Sequence, residues 1–376
     1  ALKESFILNN AFEANNLTFK TEGNFTNNTE QRVANKMTIS ANHIENRANA
    51  ELSSNETMLN STNLINRGLI DGVNTVIKSS AVTNIGTGRI YGDHLAINAA
   101  TVENLAETVN GETKAATIAA RERLDFGVNT LINRDGALIL SLGNTVIGNT
   151  LDKNNHAVGK ANLIQNDSAT IELLGNAVVN AQNVINRDTK IKTRIREERE
   201  AFDLYGKENA ATGKVSEWYR VGVDGEMDHA GGKRKKSATF TFYDRAKGEI
   251  SSSKGDHWQR REFTQTRYIP EIYDESPAKF LVGGNLHLNS ENTLNQYSQL
   301  LIGGRLYFNE QNISQSSESI DSNNGKLVNE DFTATQIVDD QGYFYRYRQD
   351  RRRSGKGRRH KNFLDIKIQK AINEQS

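Results

Sequence analysis

Leu64-Ile65-Asn66-Arg67 decides the fold of this chain, because it returns. An apolar strand end closed by Asn recurs as Ile44-Glu45-Asn46-Arg47, Val82-Thr83-Asn84, Val102-Glu103-Asn104 and Leu131-Ile132-Asn133-Arg134. Ile164-Gln165-Asn166 and Val184-Ile185-Asn186-Arg187 follow, and Phe25-Thr26-Asn27 is a weaker first copy. From Asn27 the steps to the next Asn are 19, 20, 18, 20, 29, 33 and 20. A fixed period near 20 is that of a repeat array, and the two long steps each leave room for an insertion.

Upstream of these Asn residues lie further apolar elements with period-2 alternation. Examples are Met37-Thr38-Ile39, Leu95-Ala96-Ile97, Leu124-Asp125-Phe126 and Ile171-Glu172-Leu173. Such alternation marks strands with one buried face. Two or three short strands joined by polar turns fill one coil of about 20 residues. A single coil cannot bury its apolar side, whereas stacked coils can. Stacking pairs every strand in parallel with the coils above and below, at roughly 4.8 Å per coil. The sequence therefore predicts an all-β chain: a right-handed parallel β-helix, a solenoid of about 20-residue coils, with extra-helical β-hairpin excursions. Roughly a dozen coils, on the order of 50–60 Å of stack, are expected. Asn46, Asn66, Asn84, Asn104, Asn133, Asn166, Asn186 and Asn295 are assigned as structural turn residues. Asn tolerates the left-handed backbone and bonds neighbouring backbone groups, and stacked amides also bond one another as a ladder.

After Arg187 the composition changes. Residues 1–187 read as coils, and 188–277 as a charged, aromatic excursion of hairpins or a small inserted domain. Both tryptophans lie in that excursion, as does Lys233-Arg234-Lys235-Lys236. Alternation in Ala238-Thr239-Phe240-Thr241-Phe242 and Phe263-Thr264-Gln265-Thr266-Arg267-Tyr268 predicts long antiparallel strands. The coils resume over 278–341, where Phe280-Leu281-Val282-Gly283-Gly284-Asn285-Leu286 is echoed 20 residues on by Leu300-Leu301-Ile302-Gly303-Gly304-Arg305-Leu306. Residues 342–376 read as a basic aromatic loop and a terminal strand.

The totals narrow the function. Lys and Arg number 47 against 46 Asp and Glu, so nothing in the balance suggests a nucleic-acid partner. Cysteine is absent, which excludes disulfides, Cys-ligated zinc and a cysteine nucleophile. No run of about 18 apolar residues occurs, so no transmembrane segment is expected. The His residues show no ligand spacing, and neither a nucleophile elbow nor a phosphate loop is present. No cofactor or metal is expected. Asp93 and Glu103 are the carboxylates considered for polysaccharide cleavage, a chemistry that parallel β-helices host; the chain is nonetheless read as no enzyme.

Two stretches carry a resemblance. Gly88-Arg89-Ile90-Tyr91-Gly92-Asp93-His94-Leu95-Ala96-Ile97 is one, and Ser276 to Leu306, with its paired Gly-Gly units, is the other. They resemble the filamentous haemagglutinin repeat region of two-partner-secretion exoproteins, which include haemagglutinin-type adhesins and the sticks of contact-dependent growth inhibition effectors. The likeness covers roughly residues 12–345. It implies a virulence-associated rod that is secreted or displayed on the cell surface of a Gram-negative bacterium. It also implies export through an outer-membrane transporter of the two-partner-secretion type. The chain would be an internal segment that extends and presents a binding or toxin-delivery region.

The aromatic and basic stretches are the candidate contacts to a target-cell outer-membrane receptor, lipopolysaccharide or other glycan. They are Trp218, Tyr219, Arg220, Trp258, Arg260, Arg261, Tyr345, Arg346, Arg351, Arg352 and Arg353. Aromatic side chains beside Arg form good binding hot spots and grip anionic groups. The span Tyr343 to Lys361 holds nine Lys and Arg against one Asp, a local net of +8. The competing expectation is a purely structural stalk in which these aromatics pack a hairpin.

Overall fold

Alternation along Lys36–Asn46 turns Met37, Ile39, Ile44 and Asn46 to one side, and all four are buried. One coil later Glu51–Asn66 repeats the arrangement, with Leu52, Leu59, Leu64 and Asn66 inside. A computed structural model describes residues 3–375 apart from 210, 230–239, 245, 252–256, 314–318, 323 and 354–359. The Lys233–Lys236 run lies outside the described residues. The chain divides into two units: Ala1–Lys192 with Asp274–Phe332, and Thr193–Tyr273 with Thr333–Ser376.

The first unit is a parallel β-helix with three strands to a coil. One interior column runs Leu52, Ile70, Ile90, Ile118, Ile139, Ile171 and Phe280, each directly over the next. A second runs Ile39, Leu59, Ile77, Ile97, Phe126, Ile147, Val179 and Leu288. A third runs Phe25, Ile44, Leu64, Val82, Val102, Leu131, Ile164 and Val184. Nearly every side chain in these columns is buried. The thin core is thus continuous along the stack, and the parallel ladders satisfy the backbone. Eleven strands stack in the third ladder, from Phe6–Leu8 to 326–329, close to the expected dozen.

The recurring Asn does a different job from the one assigned to it. Asn46, Asn66, Asn84, Asn104, Asn133, Asn166, Asn186 and Asn295 lie within strands, and none has a left-handed backbone. They are not turn residues. Each sits two positions after a core residue, on the inward face, where turns between strands leave a corner to fill. The expected ladder is present there. Amide Nδ2 donates to the next Oδ1 from Asn27 through Asn46, Asn66, Asn84, Asn104, Asn133, Asn166 and Asn186 to Asn295, at 2.6–2.9 Å. Asn295 passes it on to Asn329 at 2.5 Å. The second proton of each amide goes to backbone carbonyls, as from Asn66 to Gly68 O at 3.0 Å. A reversed amide would set oxygen against oxygen, so all the rungs point one way. The position below Asn27 is Leu8, which has no donor, and there the Asn27 Oδ1 accepts the Thr29 N–H instead.

Beside the ladder runs a column of small residues: Ala50, Gly68, Gly88, Ala116, Ala137, Ala169 and Ala278, joined carbonyl to amide through the residue that follows each. The Asn carboxamides fill the space that larger side chains would take. At Gly88 a Cβ would stand 2.4 Å from both Asn66 O and Asn84 Oδ1. This is the physical reason for glycine in the Gly88 to Ile97 stretch.

The long steps hold what the period suggested. The step of 29 carries the hairpin of 106–109 with Glu112–Ala115, and the step of 33 carries Thr150–Leu151 with Ala157–Val158. The largest insertion leaves after Lys192 and returns at Asp274, two residues ion-paired at 2.7 Å. Across it the register is kept: Asn186 stands next to Asn295, and Ile171 next to Phe280.

The division of the chain differs from that read in the sequence: the excursion expected over 188–277 spans Thr193–Tyr273, and the four expected segments join into two units. The resumed coils expected over 278–341 end at Phe332. Ile337–Arg353 instead pairs antiparallel with His257–Asp274, and His360–Gln375 pairs antiparallel with Ile337–Arg353. The two excursions therefore share one sheet rather than forming two separate projections, and the first also holds a three-stranded sheet of Gly225–His229, Phe240–Asp244 and Gly248–Ser251. Local alternation shows each strand but not its distant partner.

Candidate interaction face

The second unit centres on a five-stranded sheet ordered Tyr219–Arg220, Lys192–Lys207, His257–Asp274, Ile337–Arg353, His360–Gln375. Successive side chains in a strand point to opposite faces. Tyr205 pairs with Tyr219, and Arg260 stands opposite Tyr345. These four and Trp258 share one face. Trp258 is 0% exposed, and Tyr205 and Tyr219 are buried. The Arg260 guanidinium lies 5.4 Å over the Tyr205 ring and 5.7 Å over the Tyr345 ring, and it grips Asp203 at 2.8 and 3.1 Å. Lys247 lies over Tyr219 and also bonds Glu217.

The opposite face holds Phe202, Trp218, Arg220, Arg261, Phe263 and Arg346. Phe202 and Phe263 stack at 5.2 Å with planes 10° apart, and Arg220 covers Phe202 at 4.3 Å. Arg261 covers the Trp218 ring at 5.1 Å. Phe202, Trp218 and Phe263 are half-buried, and Arg261 is exposed. Buried Glu208 takes both prongs of Arg346, at 2.7 and 2.8 Å, and the Gln259 amide at 2.9 Å. Burial alone raises the Glu208 carboxyl, but bonds from Arg346 and Gln259 outweigh it and hold it below the ordinary range.

The structure thus sorts the sequence candidates. Trp258 and Tyr219 are packing residues, removed from solvent by the alternation that exposes their neighbours. Arg260, Arg346 and Arg220 are neutralised internally, Arg220 by Glu200 at 2.8 Å. Tyr345 is half-buried on the packed face. Trp218 and Arg261 remain available. Arg351, Arg352 and Arg353 pair with Asn362, Lys361 and His360 in the strand ladder, and their side chains lie outside the described residues. Phe202 and Phe263 were missed. Phe263 shares parity with Arg261, a signal present in the sequence; Phe202 reaches the face only through long-range pairing.

Comparison with protein-family models, curated proteins and solved structures returns no match. The geometry of the face therefore carries the functional argument.

A second cluster lies in the first unit. Asp125 is fully buried and receives His94 Nε2 at 3.0 Å, Arg123 at 2.6 and 3.1 Å and the Ala157 N–H at 2.8 Å. It ties the inserted hairpin Thr150–Val158 to the coils. Burial raises its carboxyl, and the bonds from His94, Arg123 and Ala157 together reverse this and hold it below the ordinary range. Its contribution to stability is therefore present above the ordinary carboxylate pKa of about 3.9 and is lost as pH falls through the lower folded value. Asp125→Ala is expected to destabilise by about 2–4 kcal/mol, less than for a wholly buried pair because the freed Arg123 reaches water. Urea unfolding at neutral pH checks this, and an unchanged midpoint would contradict it. Among the described residues, no cluster of His, Asp and Glu is arranged to hold a metal. Asp93 pairs with Arg121 at 3.0 Å, and Glu103 sits on a different ladder.

Proposed function

We propose that this chain is a β-helical stalk segment carrying a binding module, from a secreted or surface-displayed bacterial exoprotein of the filamentous haemagglutinin type. The carrying observation is the pairing of exposed Arg261 with half-buried Trp218 beside stacked Phe202 and Phe263. A sheet that served only as packing has little reason to leave three aromatic rings half-buried beside an exposed cation on one face. The Gly88–Ile97 and Ser276–Leu306 motifs support the family reading, and so does the parallel stack they build. Export through an outer-membrane transporter, display outside a Gram-negative cell and contact with a target-cell surface belong to the same proposal. The role is one of binding and presentation, not catalysis.

The purely structural stalk stays as the second reading, because so many arginines of the sheet are neutralised from within. Labelled full chain on intact Gram-negative cells separates the two. The double variant Phe202→Ser with Trp218→Ser is expected to lose binding at least about tenfold, as hot-spot truncation does. Unchanged binding by this variant, or none by the native chain, would favour the stalk.

A further inference from the structure

We infer that Arg261 is the anchor for the carboxylate of an acidic, uronate-containing polysaccharide whose sugar rings lie on the aromatic face. This rests on the binding role proposed above and gives it a ligand class.

The argument starts from charge matching. In this unit Arg194 and Arg196 share Glu271 at 2.7 and 2.9 Å, Arg199 pairs with Glu197 and Arg220 with Glu200. Arg260 holds Asp203 and Arg346 holds Glu208. Arg261 and Arg267 break the pattern, and of the two Arg267 is tied to the Gln265 amide while Arg261 is the exposed one. Among the described residues no carboxylate pairs with Arg261, and its guanidinium lies over the Trp218 ring. A guanidinium laid over an aromatic ring keeps its in-plane N–H donors free. Those donors form a fork that matches a planar carboxylate, and the bidentate pair is among the stronger charge-assisted bonds.

The surroundings favour a sugar over a small anion. Phe263, Gln265 and Arg267 share the face with Arg261 by strand alternation, so the row runs cation, ring, amide, cation over about 20 Å. The Arg267 Nε donates to Gln265 Oε1 at 2.9 Å, and Gln265 Nε2 donates to Asp340 at 3.0 Å, which keeps the far end of the row polar and fixed. A pyranose ring presents an apolar C–H face that packs on an aromatic ring by burial and dispersion. An extended polymer with regularly placed carboxylates therefore meets both features at once, and an isolated ion meets only one.

The test is retention of the full chain on immobilised polygalacturonate, dextran sulfate and neutral dextran at one fixed salt concentration. Native chain is expected to be held on polygalacturonate and to pass through dextran. Arg261→Ala is expected to lose at least about tenfold, the scale of one charge-assisted bond. Arg261→Lys keeps the charge but not the fork, and is expected to lose most of the same affinity. Far-ultraviolet circular dichroism of each variant confirms the fold, which an exposed position leaves intact. Arg261→Lys equal to the native chain, or dextran sulfate equal to polygalacturonate, would overturn the carboxylate assignment in favour of charge alone. A chain that binds cells through Phe202 and Trp218 but ignores polygalacturonate overturns the ligand class only. A chain that does neither overturns the binding role as well.

Discussion

Asn104→Ala is expected to destabilise the coil stack by about 2–6 kcal/mol, since it takes a partner from two buried polar groups at about 1–3 kcal/mol each. The groups are the Asn84 amide, which donates to Asn104 at 2.9 Å, and the Asn133 oxygen, which accepts from it at 2.9 Å. All three residues are 0% exposed, so water cannot substitute. The carbonyls of Ala116 and Leu138 lose a donor as well. Asn329→Ala removes the exposed last rung, and water replaces its bond; its cost is expected to stay under about 1 kcal/mol. Asn104→Asp keeps the shape and the acceptor, removes both donors and buries a charge. It is expected to be at least as damaging as Ala. Chemical unfolding followed by circular dichroism checks the series. Equal effects at 104 and 329, or a tolerated Asp, would mean the amides fill space without bonding along the stack.

Trp258→Ala is expected to cost about 3–5 kcal/mol, the range for large buried aromatic side chains. Trp258 is among the largest fully buried side chains of the chain. The loss falls on the second unit, and the chain's other tryptophan reports it, because Trp218 fluorescence follows the face directly. The expected record is a lowered transition in Trp218 emission. A variant that unfolds like the native chain yet fails to bind cells would restore Trp258 to the contact surface and contradict its place in the core.

Much of the first unit was legible because its information is local. The period near 20, the alternation and the Asn positions are each visible within one coil, and stacking follows from them. The last rung is legible too: Leu327-Val328-Asn329 has the same apolar approach to Asn, 34 residues after Asn295. The role of the Asn was half legible. Residue type suggested both a turn and a ladder, and only the strand register shows that the corner interior, not a left-handed turn, is what it occupies.

The second unit was legible only as composition. Charged and aromatic residues in 188–277 and 342–361 announced an excursion but not a shared sheet, because that sheet forms between strands such as His257–Asp274 and Ile337–Arg353 that lie far apart in sequence. Without that pairing, Trp218 and Trp258 look alike. With it, strand parity and the Tyr219–Tyr205 pair send them to opposite faces. The carboxylates that neutralise Arg260 and Arg346 are equally remote, at Asp203 and Glu208.

Hydrogen exchange of the full chain bound to outer-membrane vesicles, against the free chain, tests the binding face most directly. Added protection over residues 200–206, 216–221 and 259–265, with the coil ladders unchanged, is the predicted result. Protection confined to the coils, or none anywhere while the chain is bound, would contradict the assignment of this face as the site of contact.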